Sequence, residues 1–167
     1  QKKLNDIARV LSSVNKNELP EIIGLCVIEN RPVLKDLIKI ESLKKGMYGV
    51  AHFESPDYRG IDCALLFRPD EFSLISKQPV PVAFPDDPEY STRDILYVKG
   101  ETLNKEIWHI FVNHWPSRTS GLQQTEKKRI AAAQILKAKT DSLQKADPKA
   151  NILIMGDMND EPSNKSL

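Results

Sequence analysis

Two short apolar runs, Ile22–Ile28 and Asn151–Met155, set the strongest limit on what this chain can fold into. Each is rich in branched residues, too short for a buried helix, and continuous rather than alternating. That is the pattern of a strand covered on both faces. Such strands need layers on either side of a sheet, and the rest of the chain offers them. Leu4, Ile7, Ala8 and Leu11 recur at a helical period. Asn30 reads as a helix cap and Pro32 as a first-turn residue. Val33, Leu34, Leu37 and Ile38 form that helix's apolar stripe, and Lys44-Lys45-Gly46 its end. Ser120–Leu143 is the longest predicted helix, with Ile130, Ala133, Leu136 and Leu143 inward and Lys127, Lys128 and Arg129 solvated.

The middle has a different rhythm. Met47–Phe53, Ile61–Phe67, Phe72–Ser76, Pro79–Phe84 and Asp94–Val98 read as strands separated by Pro, Gly and Asp, and Ile107–Val112 as another. Clustered strands between helical regions predict an α+β chain with mixed or antiparallel pairing. The 167 residues, 40% hydrophobic and 28% charged, fit one soluble globular domain spanning 1–167. No apolar run approaches the roughly 18 residues of a membrane span, and the chain opens on a polar helix rather than a signal peptide. The compartment is left open. A net charge of +1 lacks the basic excess of a backbone-binding nucleic-acid protein. Cys26 and Cys63 sit in apolar runs without metal-ligand spacing and read as buried free thiols.

Polar groups gather where the predicted strands end: Glu29-Asn30, the string Asn113 to Arg118, and Gly156-Asp157-Met158-Asn159-Asp160. Strand ends are where sheet proteins hold ligands. Asp157 and Asn159 join a carboxylate that can bind a hard cation or align water to an amide that can donate to a phosphate oxygen. A bare Asp-x-Asn is also a common turn. His114 can donate to phosphate or simply finish its strand. Arg93 and Arg118 are candidate phosphate contacts, or in the case of Arg118 a surface arginine. His52 and His109 read as structural.

The strand Ile152–Met155 feeding into Gly-Asp-Met-Asn-Asp-Glu-Pro, with Asn-His-Trp-Pro-Ser-Arg one helix earlier, resembles the endonuclease/exonuclease/phosphatase superfamily. The elements follow the expected order over essentially the whole chain. The resemblance implies a four-layer α/β/β/α sandwich with mixed sheets. It also implies a divalent-metal-dependent phosphoesterase, using Mg²⁺ or Mn²⁺ and direct attack of water on a phosphodiester or phosphomonoester. It gives His114, Asp157 and Asn159 the catalytic roles. Nucleic acid, phospholipid and inositol phosphate substrates are not distinguished.

Three departures stand against that pattern. The family's metal-binding Glu follows a Gly-Leu-Gln-like stretch, and laid on Gly24-Leu25-Cys26 that position is Val27. Glu29 is the substitute metal ligand, its reach displaced by about 6 to 7 Å. The family's first strand, with its Asn, and its terminal Asp-His pair have no counterpart here. The expectation is therefore a domain truncated at both ends, inactive or weakly active by itself and prone to self-association through exposed edges. The alternative is a non-catalytic member that binds a phosphate ligand or a partner.

Overall fold

A computed structural model describes residues 2–15 and 17–167. The helical period near the start becomes α1 (Lys2–Ser13), with Ala8 buried. The first apolar run becomes β1 (Ile22–Ile28). Asn30 then caps α2 (Arg31–Ile38), its Oδ1 accepting from the Val33 amide at 3.0 Å, with Pro32 in the first turn. The single helix expected up to Lys45 divides, because Ile40 is extended and a separate turn, α3 (Glu41–Lys44), follows. Leu37 and Leu43 are both buried. In one unbroken helix they would point about 120° apart, so the break lets both reach the same core.

The strands after α3 are β2 (Gly49–His52), β3 (Asp62–Phe67), β4 (Phe72–Val80), β5 (Ile95–Thr102), β6 (Ile107–His114) and β7 (Asn151–Asp157). They form two sheets, ordered β1-β3-β2 and β4-β5-β6-β7. The first is antiparallel throughout. Only the second is mixed, because α4 (Leu122–Ala146) carries the chain back from β6 to lay β7 parallel beside it. The expected strands Phe72–Ser76 and Pro79–Phe84 are instead one strand, β4, ending at Val80. Pro79 is tolerated there because β4 is an edge.

Three apolar clusters define the layers. Ala8, Leu34, Leu37 and Leu43 pack on Ile23, Ala64 and Leu66 beneath the early helices. Cys63, Leu65, Phe67, Leu96, Val98, Ile110 and Val112 fill the space between the sheets. Ile95 and Phe111 meet Ala132 and Leu136 of α4 on the far side. The result is the α+β, helix–sheet–sheet–helix order expected from the sequence. Side-chain alternation does the sorting: in β3, Cys63, Leu65 and Phe67 face the second sheet while Ala64 and Leu66 face the helices.

The buried face of α4 is rotated from its expected position. Thr125, Arg129, Ala132 and Leu136 are the buried residues, and Arg129, expected in solvent, is 0% exposed. Among the described residues no helix is long and apolar enough to cross a membrane.

Candidate active site at the ends of β1, β6 and β7

The parallel register of β6 and β7 sets His114 opposite Asp157 and Asn113 opposite Gly156. Gly156 has φ +128°, and a side chain there would run into the Asn113 backbone. Only glycine lets β7 close on β6 at this point, which is what brings Asp157 beside His114. From the other sheet, Cys26 reaches across to donate its thiol to the Asn113 carbonyl at 3.2 Å. The ends of β1, β6 and β7 therefore meet.

His114 Nε2 lies 3.9 Å from Asp157 Oδ2. The imidazole is 7% exposed, and its Nδ1 is buried with no hydrogen-bond partner. Burial, helped by the nearby Arg93 guanidinium, pushes its pKa down to about 4. The ring is thus neutral near pH 7, with one N–H to give. The Asp157 side chain is 56% exposed and faces outward as the site's open carboxylate. Its Oδ1 accepts from the Asn159 amide at 2.9 Å, closing an Asx turn in which Asn159 takes φ +52°. Asn159 Nδ2 donates to the Trp115 carbonyl at 2.9 Å, so one of its two side-chain N–H groups is committed and one is not.

Both arginines are tied into this frame. Arg93 is buried. Its Nε donates to the His114 carbonyl (3.1 Å), Nη2 to the Trp115 carbonyl (2.6 Å) and Nη1 to buried Asp57 (2.9 Å). Arg118 is partly exposed and donates to the Asn159 carbonyl (2.7 Å) and to Asp160 (2.9 Å). Asp160 is held from the other side by Arg129, whose Nε lies 2.7 Å away, and by the Ser166 hydroxyl. Burial acts to raise the Asp160 pKa, but these partners outweigh it and keep the carboxyl below its ordinary range.

The other sequence candidates sit apart. Glu29 is exposed beyond the end of β1. Among the described residues it joins no group of three donors with Asp157. Val27, at the same strand end, is 58% exposed with φ +61°, a backbone conformation that a β-branched side chain rarely adopts. The register shift between Leu25 and Ile28 places it in a bulge. His52, Glu54 and Asp62 are the one group of three possible metal donors among the described residues, their atoms within 4.8 Å of one another. His52 Nε2 and Asp62 Oδ2 already share a hydrogen bond at 3.0 Å. Asp62 Oδ1 accepts the Ser55 amide, so the pair pins the loop between β2 and β3.

Sequence reasoning missed Asp57 and the Arg129–Asp160 pair, and it marked Tyr58-Arg59-Gly60-Ile61-Asp62 as similar to a family segment without giving Asp62 a role. Thr125, Arg129, Ala132 and Leu136 recur at spacings of four, three and four, so the stripe was there to find, but an arginine within it reads as solvated.

A model of the endonuclease/exonuclease/phosphatase family matches residues 1–167. No curated protein matches the chain. Solved structures with the same fold include truncated Caenorhabditis elegans TDP2, with TM-score 0.71, 15% identity, and coverage of 98% of this chain and 57% of that one. ANGEL2, a 2′,3′-cyclic phosphatase, gives TM-score 0.72 and 16% identity over 98% of this chain and 47% of its own. The human Nocturnin catalytic domain with bound sulfate gives TM-score 0.66 and 20% identity over 88% of this chain and 54% of its own. The chain thus spans about half the length of these structures. At such identities the structural likeness speaks for the fold, and the match along the whole sequence speaks for descent: this chain belongs to the endonuclease/exonuclease/phosphatase family.

Proposed function

We propose that the protein is a phosphoesterase of the divalent-metal-dependent type, hydrolysing a phosphodiester or phosphomonoester by direct attack of water, and that this chain as it stands is inactive or weakly active. The observation that carries the reading is the juxtaposition of His114 and Asp157 on paired strand ends, with Asn159 folded into the same turn. In this reading the neutral His114 ring gives its N–H to a phosphate oxygen. Asn159 gives its uncommitted N–H to another, and Asp157 orients the attacking water and draws on its proton. Arg93 acts as a positioning residue, since each of its nitrogens already holds a backbone carbonyl or Asp57. Arg118 steadies the Asn159 turn, and contacting phosphate would require it to release a bond it now makes. The 2′,3′-cyclic phosphatase activity of ANGEL2 and the sulfate bound to Nocturnin support a phosphate-ester substrate class.

The family implies Mg²⁺ or Mn²⁺, and the donor set can be tested against that. Such cations take carboxylate oxygens. Asp157 offers one, Val27 offers none, and Glu29 forms no donor group with Asp157 among the described residues. The residues at the strand ends fall short of a protein-built divalent site. This shortfall accounts for weak activity. It also favours a second reading, a non-catalytic member that binds a phosphate ligand or partner at the same strand ends.

Hydrolysis of bis-p-nitrophenyl phosphate with Mg²⁺ or Mn²⁺ separates the two. Turnover by the protein that disappears in Asp157→Ala supports the enzyme. Absence of turnover with either metal, together with calorimetric binding of inorganic phosphate that Asp157→Ala leaves intact and His114→Ala abolishes, supports the binding module.

A further inference from the structure

The two cysteines of this chain lie on neighbouring strands and in one side-chain cluster. Leu25 of β1 pairs with Ala64 of β3 and Ile28 with Asp62, so Cys26 and Val27 of the bulge together face Cys63. Both side chains fall on the face between the sheets, Cys63 beside Leu65 and Phe67, and Cys26 in the same cluster with Ile22. Beside the bulge, the regular Leu25–Ala64 ladder position holds Cα atoms about 4.5–5.5 Å apart, close to the roughly 4.4–6.8 Å range of disulfides. The thiols interact. Interaction with the neighbouring Cys63 thiol is the largest influence bringing the Cys26 pKa down to about 7, and the same interaction raises that of Cys63. Cys63 is buried, whereas Cys26 is only half-buried, so a small oxidant meets Cys26 first.

We propose that Cys26 and Cys63 form an oxidation site that takes a hydroperoxide and closes to an intrachain disulfide. The Cys26 thiolate attacks one peroxide oxygen, breaking the O–O bond and leaving Cys26 as a sulfenic acid while the alcohol, or water, departs with the proton. The Cys63 sulfur then attacks the Cys26 sulfur. The S–S bond forms, the S–OH bond breaks, and water leaves carrying the Cys63 proton. Two thiols and one hydroperoxide become one disulfide, one alcohol and one water.

The consequence reaches the candidate site. Cys26 now bridges from β1 to the Asn113 carbonyl, one residue before His114. Turning its sulfur toward Cys63 removes that hydrogen bond between β1 and the end of β6. The inference does not depend on the phosphoesterase reading.

The test is intact and peptide mass spectrometry of the folded protein after a few equivalents of hydrogen peroxide, with free thiols alkylated before digestion. The expected result is loss of two hydrogens and a peptide joining Cys26 to Cys63, both reversed by dithiothreitol. In Cys63→Ser the reaction should stop at a Cys26 sulfenic acid trapped by dimedone. Recovery of both cysteines fully alkylated after peroxide, or Cys26 joined only to a second copy of itself, would overturn the proposal. Because the readout is mass, a failure here is separable from any absence of hydrolysis.

Discussion

Arg129 Nε lies 2.7 Å from Asp160 Oδ2, and both side chains are wholly hidden from solvent. The pair ties α4 to the turn that presents Asp157 and Asn159. Arg129 also donates to Thr125 and to the Leu122 carbonyl, so its guanidinium is anchored within its own helix and reaches outward to the loop. Removing one member of a buried ion pair strands the other charge, which costs about 3–5 kcal/mol. Asp160→Asn, which strands the buried Arg129 charge, is expected to lower stability by that order in a denaturant melt, and Arg129→Met by less, because Asp160 keeps Arg118 and Ser166. The double variant is expected to lose less than the sum of the two, because no charge is left alone.

Arg93 makes a parallel case with a different readout. Its three donor positions hold the His114 and Trp115 carbonyls and Asp57. Lysine keeps the charge but not the planar fork. Arg93→Lys is expected to fold with a loss of about 1–3 kcal/mol, reflecting unsatisfied buried carbonyls. It should also shift the His114 ring resonances in NMR spectra. Unchanged His114 resonances would count against a positioning role.

The pH dependence of stability follows from His114. Its folded pKa is about 4, below the ordinary 6.5, chiefly through burial. The unfolded chain therefore binds a proton that the folded chain refuses. The stability at issue is complete above pH 6.5 and is lost as pH falls through the folded value. Over that window the loss is on the order of 3 kcal/mol. His109 is shifted in the same direction by burial and Lys99 and adds to the slope. Unfolding measured from pH 7 to pH 4 is expected to steepen below 6.5, and His114→Gln should remove most of that steepening.

Much of this architecture was legible beforehand because it rests on local pattern. Ile22–Ile28 and Asn151–Met155 announced strands by composition, Asn30 announced its cap, and Asp157, Asn159 and His114 announced themselves by sitting where apolar runs stop. The double-sided covering expected of those strands does not hold, since β7 is a sheet edge with no buried residue and Ile154 44% exposed, and β1 buries only Ile23 and Ile28. What was not legible depends on contacts between distant segments. The helix break at Ile40 is set by the core that Leu37 and Leu43 share, not by any breaker residue. Arg129 looked like part of a solvated basic cluster because its partner, Asp160, comes from the turn after β7. Arg93 looked free to bind phosphate because nothing in Ser-Thr-Arg-Asp reveals that Asp57 and two carbonyls of the β6 end converge on it. Val27 was visible as a departure, but its backbone conformation was not.

That conformation gives Val27 two separable tests. A β-branched residue at φ +61° carries strain of about 1–2 kcal/mol that glycine escapes, less what glycine's freer unfolded chain takes back. Val27→Gly is therefore expected to raise stability by about 1 kcal/mol, a gain readable as a shift in denaturant midpoint without change in slope. Val27→Glu keeps the strain but sets a carboxylate at the strand end where β1 meets β6 and β7. Adding an anionic oxygen ligand beside exposed Asp157 is expected to tighten Mn²⁺ binding on the order of tenfold by calorimetry. If hydrolysis of bis-p-nitrophenyl phosphate rises alongside it, the site lacked only its cation. If Mn²⁺ binding is unchanged, position 27 does not face the ligand, and the shortfall of carboxylates at the strand ends has another origin. Because Val27→Gly changes the backbone and adds no ligand, tighter binding in both variants would assign the effect to relief of the bulge rather than to the new carboxylate.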